Sequence, residues 1–163
     1  MWTARRILKE IADGDRRRKV LAAFWRHGDQ HAGAAALVQL ARAMHFRDET
    51  LRKMPPDRKA DMLASRIGAP EFDQYLEMGL MQYHTHGANE LMASFLDTWG
   101  IPHVNGSIEE DEYKTPTVDQ VREAVQNAGD KFDKRDVAMY LATAGLLMDG
   151  WRDATWPVVD EMM

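Results

Sequence analysis

The sequence contains no cysteine. That removes disulfides, thiolate nucleophiles and every cysteine-based zinc site, and it leaves the redox compartment open. Serine is nearly as scarce: only Ser65, Ser94 and Ser107 occur, none in a G-x-S-x-G elbow. No Walker A run and no G-x-G-x-x-G after a strand is present, so no phosphate cradle is signalled. Long apolar runs are missing too. The longest, "AGAAALVQLARAMHF", is broken by Gln39 and Arg42 and falls short of the roughly 20 residues that cross a bilayer. The opening "MWTARRILKEIADGD" holds no uninterrupted apolar stretch of the secretory kind. From these absences the expectation is a cytoplasmic chain with no membrane contact.

What is present is a globular composition. Of 163 residues, 45 % are hydrophobic and 29 % charged, which suits one domain spanning residues 1–163 with a core of its own. The net charge of −5 is unevenly spread. Residues 1–60 hold 14 Lys/Arg against 7 Asp/Glu, whereas residues 61–163 hold 7 against 19. Such asymmetry supplies complementary surfaces for a protein partner or for self-association, or else simply solvated helix faces that differ.

Periodicity is helical throughout. Apolar stripes run through Ala4, Ile7, Leu8 and Ile11; through Val20, Leu21, Phe24 and Trp25; and through Ala34, Leu37, Val38, Ala41 and Met44. Further stripes start at Ala60, Phe72, Leu91, Val118 and Val137, and no comparable strict alternation exists. The fold class expected is all-α: seven or eight short amphipathic helices packed as antiparallel hairpins, in a bundle or a short solenoid-like stack. Glycine punctuates it. Gly14, Gly28, Gly68, Gly87, Gly100, Gly129 and Gly150 each follow a stripe, and Asp15, Asp29, Asn89 and Asp130 stand ready as caps of the next helix. Gly79 and Gly145 fall inside helices, where close helix crossing would offset their cost.

Candidate chemistry concentrates in three places. "QYHTHGANELM" carries His84, His86 and Glu90, and His103 lies in a nearby loop; together they are the candidate metal ligands of an alternative, enzymatic reading. The grammar of helix ends explains most of the same segment: Gly87 as stop, Asn89 as cap, and two histidines facing the free carbonyls of a last turn. No H-E-x-x-H or E-x-x-H pair supports a metal, and no cofactor is expected. The second place is "DRRRK", where Arg16, Arg17, Arg18 and Lys19 crowd a helix N-terminus against its dipole and invite an anion or an acidic partner. The acidic chain and the lack of any recognition-helix signature argue against nucleic acid as that partner.

The third is the irregular segment 100–116, "GIPHVNGSIEEDEYKTP". Asn105-Gly106 between Val104 and Ile108 signals a tight turn, and Glu109, Glu110, Asp111 and Glu112 follow it as an acidic run. The tail adds Trp151 and Trp156 on either side of a polar stretch, with Pro157 expected to stop a helix or begin another. It would clamp back over the helices or meet another subunit. The function expected is a non-enzymatic interaction or scaffold module. Arg16–Lys19, the 109–112 acids and the two tryptophans are its candidate contact residues.

Overall fold

The computed structural model describes residues 1–109 and 113–163. Helix accounts for 74 % of it, with no strand among the described residues. Ten α-helices occur there rather than seven or eight. The eight apolar stripes all lie on helices, and the two additions are ones that periodicity misses. One, Asp48–Arg52, is too short to show a stripe. The other, Arg152–Met162, contains Pro157 in its interior. Pro157 faces solvent in the second turn and forfeits one backbone hydrogen bond without ending the helix.

The chain divides into two compact units, one formed by Asp13–Tyr83 and the other by Met1–Ala12 with His84–Met163. The continuous unit contains α2 (Gly14–His27), α3 (Gln30–Met44), α4 (Asp48–Arg52), α5 (Pro56–Ala64) and α6 (Asp73–Gly87) as far as Tyr83. α1 (Ala4–Arg6) belongs to the other unit. Asp13, and not Asp15, caps α2 by accepting from the Arg16 amide at 2.9 Å. Gly14 is therefore the first helical residue rather than a stop, and Asp15 moves into the first turn. Asp29 caps α3 as the sequence suggests, accepting from the Ala32 amide at 3.1 Å. α2 packs chiefly on α5. Its Phe24 ring lies 5.5 Å from Tyr75 of α6, and a Cβ at Gly79 would meet the Val20 carbonyl oxygen at 3.1 Å. The internal glycine thus marks a close helix crossing.

In the second unit, α1 runs into a π-helical turn, Ile7–Ile11, that buries Ile7, Leu8 and Ile11 and packs on α9 (Lys134–Leu147). The Trp2 indole donates to Asp160 Oδ1 at 3.0 Å, and the Arg6 guanidinium stacks 4.1 Å above the Trp2 ring. These contacts tie the first residues to α10 (Arg152–Met162). α9 is buried along residues 137–145, as befits a central helix apolar on all sides. Gly145 is its point of closest approach to α10: a Cβ there would run into Thr155 and Trp156. The Trp156 indole donates to the Ala142 carbonyl at 3.1 Å, so the crossing is both packed and hydrogen-bonded. α7 (Asn89–Thr98) and α8 (Val118–Ala128) complete the unit. A capping box formed by Thr117 and Gln120 starts α8, and Asp133, rather than Asp130, caps α9.

Candidate functional site

The 84–90 segment and the loop that begins at Gly100 meet, as a pinned turn. Asn105 and Gly106 have φ of 52° and 87°, and Val104 and Ser107 exchange backbone hydrogen bonds of 2.9 and 3.0 Å. This is the miniature hairpin that the Asn-Gly pair signals. Its tip rests on the start of α7. A Cβ at Gly106 would meet the Asn89 carbonyl oxygen at 3.0 Å and Met92 Cβ at 3.1 Å, so the position needs glycine both for its dihedral and for its space. Asn89 does not cap α7; Ala88 holds that place. The Asn89 side-chain amide donates instead to the Thr85 carbonyl at 2.7 Å and to the Asn105 carbonyl at 3.1 Å, bridging the end of α6 and the hairpin.

His103 is the second pin. Its Nδ1 accepts from the Gly106 amide at 3.0 Å, so the ring proton sits on Nε2, which donates to Asp97 Oδ1 at 2.6 Å. Both ring nitrogens are engaged in holding the turn. His84 is buried with its ring 5.8 Å from Tyr140, while His86 and Glu90 are exposed. The four candidate ligands are therefore distributed between a core position, two surface positions and a hydrogen-bonded turn. Among the described residues, no three His, Asp or Glu side chains come close enough to hold a metal ion.

The basic run at the start of α2 is largely neutralised within its own unit. Arg16 Nη1 lies 2.8 Å from Asp13, and Arg18 makes a bidentate pair with Asp61 at 2.8 and 2.9 Å. Lys19 lies 3.0 Å from Asp15, a hydrogen bond that raises the ammonium above its ordinary range. These acids resolve the conflict between four cations and the positive end of a helix dipole. Arg17 and Arg18 line a shallow hollow with Asp15 and Asp61, of mixed sign rather than uniformly basic.

Trp151 and Trp156 are buried within their unit, at 0 % and 8 % exposure, so the tail clamps back and displays neither indole. Trp151 joins a row of rings: Trp99 lies 5.5 Å and Tyr113 6.0 Å away, and Phe95 lies 5.3 Å from Trp99. Of the acidic run, Glu109 is exposed, and Glu110, Asp111 and Glu112 lie outside the described residues.

A second set of exposed cations is dispersed along residues 42–58. Arg42, Arg47, Arg52 and Arg58 are exposed, and none has an ion-pair partner among the described residues. Nearby Lys53 is taken by Glu49, and Asp57 by Arg26. Between the first two arginines stands Phe46, 43 % exposed. It follows His45, a non-glycine residue at φ 58° that ends α3. Composition carries the signal, six Lys/Arg against three acids in residues 42–59, but these cations are dispersed rather than consecutive as in "DRRRK". Comparison with family models, curated proteins and solved structures finds no match to this chain.

Proposed function

We propose that the protein is a non-enzymatic interaction module whose two units offer surfaces of opposite charge to protein partners, further copies of itself included. The observation that supports this reading is the division of charge. The Asp13–Tyr83 unit has 12 Lys/Arg and 10 Asp/Glu, and Arg42, Arg47, Arg52 and Arg58, which have no ion-pair partner among the described residues, face solvent. The other unit has 9 Lys/Arg and 16 Asp/Glu. There Glu90, Glu109, Glu123, Asp130, Asp149 and Asp153 are exposed without an ion-pair partner among the described residues. Charge left uncompensated on a surface speeds and orients association more than it stabilises a fold.

The test is sedimentation of the purified chain over a wide concentration range at low salt, together with affinity capture from an extract of its own cells. Association or a stoichiometric protein partner, weakened by salt, is the expected result. A chain that stays monomeric and captures nothing overturns the reading.

A further inference from the structure

The corner between α9 and α10 forms a hollow of about 310 Å³, small for a ligand pocket but sufficient for one aromatic side chain. Most of its lining is polar, and Leu146, Leu147 and Met148 supply the apolar part, with Leu147 40 % exposed. Its rim carries Asp149 and Asp153, neither with an ion-pair partner among the described residues. Arg152, the single cation on the wall, is held over the Trp156 ring at 4.8 Å. The exposed Leu147, beside two carboxylates that have no ion-pair partner among the described residues, suits an apolar group flanked by cations.

The Asp13–Tyr83 unit displays such a group. Phe46, 43 % exposed in the α3–α4 connection, stands between the exposed Arg42 and Arg47 in sequence, with the exposed Asp48 next to Arg47 and Arg52 further on. Resting on the interaction reading above, we propose that this Phe46 loop of one copy docks into the α9–α10 hollow of a second copy. Phe46 would fill the space against Leu147 and Met148, while Arg42 and Arg47 would meet Asp149 and Asp153. Large side chains anchored in a pocket, with a polar rim around them, commonly form the energetic centre of an interface. An anionic polymer or membrane suits the arginines less well, because the chain as a whole is acidic.

The two surfaces differ, so the contact is head-to-tail. Each copy keeps one free loop and one free hollow, and assembly proceeds to a ring or a filament unless one of them is disabled. This sets a decisive experiment. A loop-dead variant carries Phe46→Ser with Arg47→Glu, and a hollow-dead variant carries Asp149→Lys with Asp153→Lys. All four are surface positions apart from the buried edge of Phe46, and circular dichroism with thermal melting verifies that each variant is folded.

In sedimentation velocity at about 50 mM salt, chosen to leave surface charges unscreened over a Debye length beyond 10 Å, the wild type should associate with rising concentration. Each variant alone should remain monomeric. Their equimolar mixture should form a dimer and nothing larger. The proposal is overturned if the wild type is monomeric, if either variant associates like the wild type, or if the mixture fails to pair. It is also overturned if Arg47→Glu instead abolishes binding to a DNA oligonucleotide or to phosphatidylserine vesicles. Association through other residues, or capture of a different protein by a monomeric wild type, removes this interface and leaves the interaction reading standing. Neither association nor capture removes both.

Discussion

Replacing Gly106 by alanine probes the pinned turn most sharply. Its φ of 87° places a side chain in the left-handed region, at a cost of about 1–2 kcal/mol. The new Cβ would also stand 3.0 Å from the Asn89 carbonyl oxygen and 3.1 Å from Met92 Cβ. Backbone at the start of α7 yields less readily than a side-chain tip, so crowding adds about 1–2 kcal/mol. The total is about 2–4 kcal/mol. Gly100 is the control: its φ is 66°, and a Cβ there would meet nothing within 4 Å. Gly100→Ala should therefore lose the backbone term alone, about 1–2 kcal/mol. Thermal and urea unfolding measure the difference, at about 2–4 °C per kcal/mol for a chain of this size. Amide exchange at positions 106 and 107 then shows whether the turn's own hydrogen bonds, to His103 Nδ1 and the Val104 carbonyl, have opened. The reasoning is refuted if Gly106→Ala costs no more than Gly100→Ala while both amides stay protected.

Three further outcomes follow from the packing. Gly145→Ala should destabilise the α9–α10 crossing by about 1–3 kcal/mol, because the methyl group meets Thr155 and Trp156; an unchanged melting temperature contradicts the crossing. Asp13→Ala should cost about 1 kcal/mol through loss of the α2 cap, and Asp15→Ala only a few tenths, with the reverse order in urea unfolding restoring Asp15 as the cap. Burial pushes the Tyr140 hydroxyl well above the ordinary tyrosine range, because the phenolate is not solvated there. The neutral form is thus favoured by the fold. Its contribution is intact below about pH 10, where the unfolded phenol begins to ionise, and is lost as pH rises towards the folded-state value. Tyr140→Phe should flatten the alkaline limb of the stability profile by up to about 1.4 kcal/mol per pH unit; a limb of unchanged slope refutes this.

The helical class and most elements were legible because each long helix repeats its apolar residues at a spacing that burial then uses. Phe72, Tyr75, Leu76 and Leu80 are buried as their stripe requires, and Gly79 and Gly145 sit at crossings as their cost demands. The Asn-Gly hairpin was legible for the same reason, since its dihedrals suit few other pairs. Caps were read less well. In "ADGD" and "GDKFD" two aspartates compete for one position, and the winner depends on where the chain enters the helix, which periodicity does not specify.

The intramolecular pairing of the run from Arg16 to Lys19 was only partly legible. Its partners Asp13 and Asp15 are adjacent in sequence, but Asp61 arrives from α5, 43 residues beyond Arg18, and only the fold brings it there. By contrast, Arg42 and Arg47 have no such partners among the described residues, although nothing in their local sequence says so. His103 shows how one motif can carry two readings. Its nitrogens suit a metal in sequence, and in the folded chain they hold Asp97 and the Gly106 amide.

The most direct test of the account is the sedimentation coefficient of the wild-type chain as a function of concentration, measured at about 50 mM and about 500 mM salt. Association through surfaces of opposite charge predicts a coefficient that rises with concentration at low salt and collapses to the monomer value at high salt. A single monomer value under both conditions, from a chain that also captures no partner protein, contradicts it.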